Sequence, residues 1–161
     1  MHRDSHDILI EMEDAKHIKK SHNKTLLIYH LVCPAKYRRK VFTDDVAQTL
    51  KHICLELGAR YEIVFLEIGI DADHVHFLIQ TIPNICVSEM VKKIKSITAR
   101  HIFEKHPEVK TFLWGGNLWT SGYYINTVGQ YGNLNMIHNY VKNQSRKEYT
   151  QIHTEQLNLF S

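Results

Sequence analysis

The sequence predicts an α+β domain, an antiparallel sheet carrying its helices on one face. Three observations lead there. Runs rich in β-branched and aromatic residues recur at 25–32, 61–70, 74–79 and 123–128. Helical patterns separate the first run from the second and the third from the fourth. The chain has 161 residues, 43 % hydrophobic and 23 % charged, which suits one domain with a sizeable core.

In chain order, residues 1–23 are polar and rich in His, Lys and acidic side chains, and read as a mobile or loosely docked extension. The 25–32 run is apolar on both faces, and Pro34 should end it. Residues 36–40 (Lys36, Tyr37, Arg38, Arg39, Lys40) form a loop of four cations around one aromatic ring. Thr43 is a good N-cap, with Asp44 and Asp45 in the first turn. Val46, Leu50, Ile53 and Leu57 recur at helical spacing, and Gly58 should close that helix.

The 61–70 strand leads through a short turn at Asp71, Ala72 and Asp73 into a strand starting at His74, its hairpin partner, which Pro83 and Asn84 end. Ser88 should cap a second helix running to about Lys105, with Val91, Ile94 and Ile102 apolar. Its other faces hold Lys92, Lys93, Lys95, Arg100 and Lys105. Residues 114–119 are a glycine-containing loop with two indoles, lacking phosphate-loop spacing and read as a turn that buries both. A fourth strand at 123–128 and a last helix at about 134–146 follow, and the tail beyond Tyr149 is polar. The order βαββαβ is the ferredoxin-like arrangement, with an added C-terminal helix. We expect an extension at 1–23, a catalytic domain at 24–148 and a tail at 149–161.

No apolar run is long enough to span a bilayer, and the N-terminus carries no signal-peptide pattern. Cys33, Cys54 and Cys86 are odd in number and form no C-x-x-C pair, so a reducing, cytoplasmic setting without membrane attachment is expected. Net charge is only +3, but the cations cluster, and a local basic patch matters more than the total. Solvated surface explains most such runs. The alternative for residues 36–40 is contact with a phosphate backbone beside a base-stacking ring.

His74 and His76 stand two apart on a strand and share one face. Two imidazoles at that spacing are half of a metal site that leaves positions open. An isolated His-x-His is common by chance, and two hydrogen-bonded histidines at a strand end would explain it. Weight comes from Tyr140 and Gln144, four apart on one face of the last helix. Two imidazoles and an amide oxygen would bind a divalent cation, a Lewis acid toward a phosphodiester. A phenol one turn away could then attack phosphorus, given help with a pKa of about 10. A covalent phosphotyrosine keeps the energy of the broken ester, in accord with the missing nucleotide loop.

On these residues the sequence resembles the single-tyrosine HUH transposases of the IS 200/605 insertion-sequence group. His74-Val75-His76 with Asp73 is similar to the family's His-hydrophobic-His motif. Tyr29-His30-Leu31-Val32, residues 36–39, 113–119 and 127–129 resemble its other blocks, and residues 140–144 its Tyr-x-x-x-Gln helix. Cys33-Pro34-Ala35 and Ala72 depart from its usual residues. The resemblance implies a homodimer cleaving single-stranded DNA near hairpins. Tyr140 would be the nucleophile, His74, His76 and Gln144 the ligands, and magnesium or manganese the ion. The nucleophile helix commonly docks on the partner subunit, giving composite sites. A repeat-associated tyrosine transposase, a replication initiator of the same chemistry, or a non-catalytic nucleic-acid-binding module with this fold remain as alternatives.

Overall fold

The structure is a computed structural model, and it describes residues 17–129. The last helix, with Tyr140 and Gln144, lies outside the described residues, as do 1–16 and the tail.

A two-stranded hairpin comes first, β1 (Ile18–Lys19) with β2 (Lys24–Thr25). The expected boundary at residue 23 therefore falls inside a hairpin, tied to the body by the Lys20–Glu62 ion pair at 2.7 Å. Strand β3 (Leu27–Pro34) follows, then a 3₁₀ turn at Lys36–Arg38, helix α1 (Asp44–Tyr61), and strands β4 (Val64–Ile70) and β5 (His74–Thr81). Helices α2 (Val87–Lys105) and α3 (Pro107–Phe112) and strand β6 (Tyr124–Val128) complete the described chain. The main sheet has the order β4-β5-β3-β6 and every pairing is antiparallel, the ferredoxin-like topology expected.

Strand β3 ends at Pro34, as expected, with the proline itself still paired to His74. Proline lacks only the N–H donor, and the Pro34 carbonyl accepts from Thr120 N–H at 3.0 Å. Thr43 does cap α1, its side chain accepting from Val46 N–H. Gly58, however, lies inside the helix, which runs on to Tyr61 and ends at Glu62 in the left-handed region. Glycine is required there by the returning chain, because a Cβ would collide with the Ile63 carbonyl. Thus β4 starts at Val64, and Tyr61 belongs to the helix. Helix α2 is capped by Cys86, not Ser88. Helix α3 was not expected: six residues opened by Pro107 are too short for periodicity to register.

Alternation along the strands divides the sheet into two faces. Leu31, Cys33, Val75, Phe77 and Ile79 enter the main core with Leu50 and Leu57 of α1 and Met90, Val91 and Ile94 of α2. Ile28, Leu66, Leu78 and Val128 form a smaller apolar cluster. By alternation His30, His74 and His76 share that second face, opposite the α1–α2 layer.

Candidate metal centre and nucleic-acid interface

Both histidines of the motif are buried, His74 4 % exposed and His76 fully enclosed. Their ring centroids are 5.1 Å apart at an interplanar angle of 71°. His74 Nδ1 lies 2.6 Å from Asp73 Oδ1. His76 Nδ1 lies 2.8 Å from Nε2 of His30, whose ring stacks on it at 13°. When Nδ1 carries the proton and donates, the lone pair sits on Nε2, the nitrogen that then faces a ligand. Each histidine thus has a partner that sets its ring orientation.

Burial alone would raise the Asp73 carboxyl, but the His74 hydrogen bond and the charges of His74 and Arg38 outweigh it and hold it below the usual value. Arg38 Nη2 reaches Asp73 Oδ2 at 3.4 Å. A partly exposed pair of that length is worth about 0–1 kcal/mol, so its importance is positional. It joins the basic loop to the carboxylate that orients His74.

The main chain makes the same junction. Ala35 N–H donates to Asp73 O at 2.8 Å, and Lys36 N–H to Leu118 O at 2.7 Å. Pro34 is paired with His74 across the sheet. The expected cationic loop is therefore seated at the histidine end of the sheet. Within it Tyr37 and Arg38 hold left-handed conformations, φ 56° and 51°. Such conformations cost roughly 1–2 kcal/mol per non-glycine residue. Lys36 Nζ lies 5.2 Å from the Tyr37 ring centroid, Arg39 stacks on Phe112 and Trp114, and Lys40 is exposed.

The second basic cluster is placed elsewhere. Lys92, Lys93 and Lys95 belong to α2, in the helical layer across the sheet from the histidines. Lys93 lies 4.7 Å over the Tyr61 ring. Lys95 donates to the carbonyls of Thr120, Ser121 and Gly122 at 2.6, 3.3 and 3.3 Å. Burial lowers its pKa, offset in part by Cys33. Lys92 and Lys95 border a cavity of about 430 Å³, lined in part by Phe103, Trp119 and Tyr123.

The two indoles part company. Trp119 is buried against Phe42 and donates to Thr98 Oγ1 at 3.0 Å, whereas Trp114 is 77 % exposed. His30 was not singled out from sequence as a site residue, although alternation along β3 places it on the face of the motif.

Among the described residues, no three His, Cys, Asp or Glu side chains are grouped to hold a metal ion. A cation on His74 and His76 would need a further ligand. Among the described residues no helix is long and apolar enough to cross a membrane.

Comparison with known proteins agrees with this architecture. The family described as "Transposase IS200 like" matches residues 23–144. The ISDra2 transposase TnpA of Deinococcus radiodurans is 36 % identical over 122 residues, covering 76 % of this chain and 86 % of that protein. The transposase of insertion sequence IS200 from Salmonella typhimurium is 28 % identical over 128 residues, covering 80 % of this chain and 83 % of its own. A transposase crystal structure from Deinococcus radiodurans R1 superposes with a TM-score of 0.65 at 32 % identity, covering 79 % of this chain and 97 % of that one. A REP-associated tyrosine transposase bound to a REP hairpin shares the fold, with a TM-score of 0.55 at 12 % identity over 84 % of this chain and 76 % of that one. Family match, relatives and fold converge, and the chain belongs to the IS200-like transposases, enzymes that cleave DNA and transfer its strands.

Proposed function

We propose that this transposase cuts and rejoins single-stranded DNA through Tyr140, at a divalent cation held by His74, His76 and Gln144. The observation that carries the reading is the anchoring of both Nδ1 atoms, by Asp73 and by His30. Two oriented imidazoles suit a divalent ion, and the family generally uses one. When bound, the ion supplies Lewis acidity toward the phosphodiester. Magnesium or manganese is the ion we assign.

The Tyr140 oxygen attacks phosphorus in line, the bond from phosphorus to the 3′ oxygen breaks, and that oxygen leaves with a proton as a 3′-OH. The 5′ side stays on the enzyme as a phosphotyrosine ester. Attack by a 3′-OH reverses these steps and joins strands, so no nucleotide hydrolysis is needed. Lys36, Tyr37, Arg38, Arg39 and Lys40, at the histidine end of the sheet, bind the DNA. Lys92, Lys93 and Lys95 make a second, more distant contact. In Lys95 the ammonium already serves three carbonyls, so its share is the smallest. Hairpins near element ends are the recognised substrate, and the solved relative bound to a REP hairpin supports that choice. Two copies act together, each site combining His74 and His76 of one with Tyr140 and Gln144 of the other. The catalytic unit spans 24–148, between the N-terminal segment 1–23 and the tail 149–161.

The test is one denaturing gel. Labelled single-stranded hairpin DNA incubated with protein and magnesium or manganese gives a denaturant-resistant adduct. Tyr140→Phe abolishes it and a chelator suppresses it. An undiminished adduct in Tyr140→Phe would overturn the assignment.

A further inference from the structure

Among the described residues five large hydrophobic side chains are conspicuously exposed, and three of them, Tyr37, Phe112 and Trp114, gather in one place. Tyr37 is 66 % exposed and Trp114 77 %. Their ring centroids are 6.4 Å apart and tilted by 50°, so neither ring covers the other. Arg39 lies beneath Trp114 at 4.4 Å and over Phe112 at 4.9 Å, and donates to Phe112 O at 3.3 Å. One face of the indole is therefore backed by a guanidinium while the ring stays open to solvent. Cation–π support of that kind holds an aromatic ring in place on a surface.

The backbone also matters. Tyr37 and Trp114 both occupy the left-handed region, each with φ 56°. Glycine would take either turn without strain, yet these positions hold the two large exposed rings. The cations Lys36, Arg38, Arg39 and Lys40 flank Tyr37 in the sequence, with Lys36 Nζ 5.2 Å from its ring centroid and Arg39 against Trp114. Exposed rings among cations are the surface that single-stranded nucleic acid recognises: bases stack and phosphates pair. The platform is linked to the histidine pair as well, since Arg38, next to Tyr37, pairs with the Asp73 that orients His74.

We propose that Tyr37 and Trp114, backed by Arg39 and Phe112, form a stacking platform for unpaired bases that flank the scissile phosphate. This rests on the reading that the phosphate is cut beside His74 and His76. It adds Trp114 to the DNA-contacting residues, with Phe112 as support, and gives Arg39 a second task, holding the indole.

The experiment uses the full chain and fluorescein-labelled single strands, some bearing one abasic nucleotide near the cleavage site. Trp114→Ala and Tyr37→Ala each weaken binding about 5- to 150-fold. The slope of log affinity against log salt stays unchanged, because no charge is removed. Trp114→Phe and Tyr37→Phe restore most of the loss. An abasic nucleotide at the platform position weakens the wild type by a similar factor and Trp114→Ala hardly further. DNA also quenches the emission of Trp114, with buried Trp119 as the steady background. Full affinity in both alanine variants, with wild type binding normally, would overturn the platform. So would an abasic penalty undiminished in Trp114→Ala, or a change confined to self-association. Failure of the wild type to bind any single strand would instead remove the functional reading beneath it.

Discussion

At the scale of the residue, His30 is the most informative side chain. It is buried at 3 % exposure, stacked on His76 and hydrogen-bonded to its Nδ1. Partners of this kind fix a ligand's tautomer, and their loss typically costs about 10- to 100-fold in metal affinity. We expect His30→Phe to fall in that range for manganese, measured by titration calorimetry or electron paramagnetic resonance. His30→Gln, whose amide oxygen can accept the same N–H, should retain most of the affinity. Equal affinity in His30→Phe and wild type would show that the ring only fills space. The His-x-His motif was legible because strand spacing alone puts both rings on one face. His30 was not, because its pairing with His76 depends on strand register, 46 positions away in the chain. Trp114 was misjudged for a similar reason: hydrophobicity predicts burial, and only the turn geometry turns this indole outward.

At the scale of the element, the four strands of the main sheet and the two long helices followed from composition and periodicity, and the errors in them lie at their ends, whereas the short β1–β2 hairpin was not expected. Gly58 shows why. A glycine near the end of an apolar periodicity reads as a stop, yet here it lets the chain return against the helix at Ile63. Gly58→Ala would gain about 1 kcal/mol of helix propensity. It would lose more, because the added methyl meets a backbone carbonyl, which cannot swing aside as a side-chain tip can. Overpacking of this kind costs about 1–3 kcal/mol or somewhat more. We expect a net loss of about 1–2 kcal/mol, read as a lower urea midpoint with an unchanged slope. A midpoint above wild type would show that the Ile63 carbonyl can give way and that no glycine is required at this position. Helix α2 was misplaced by a residue or two for a milder reason. Cys86 and Ser88 both stand at its start, Sγ and Oγ 3.2 Å apart, and only backbone dihedrals decide which is the cap.

At the scale of the whole molecule, the sheet's two faces divide the labour. One carries α1, α2 and the main core; the other carries the histidines. If Tyr140 reaches the histidines of a second copy, two inactive variants should complement one another. Mixing Tyr140→Phe with a His74→Ala, His76→Ala double variant, under conditions that exchange subunits, should restore about a quarter to a half of the adduct. No recovery from a mixture that sedimentation shows to be mixed dimers would place the nucleophile on its own chain's histidines. A monomer with full activity would remove the composite site altogether. The overall architecture was legible because βαββαβ order and antiparallel hairpins leave few topologies. The assembly is an expectation of the resemblance alone, since no residue pattern within one chain says which copy a helix serves.

Three main-chain hydrogen bonds brace the histidine end: Ala35 to Asp73, Lys36 to Leu118 and Thr120 to Pro34. None of them uses a side chain. The basic turn and the Trp114 segment hang from this frame as replaceable jaws, while the imidazoles sit in the strands behind it. If the proposed platform grips DNA, exchanging its exposed rings while keeping Arg38, which holds Asp73, should change strand preference without displacing the imidazoles.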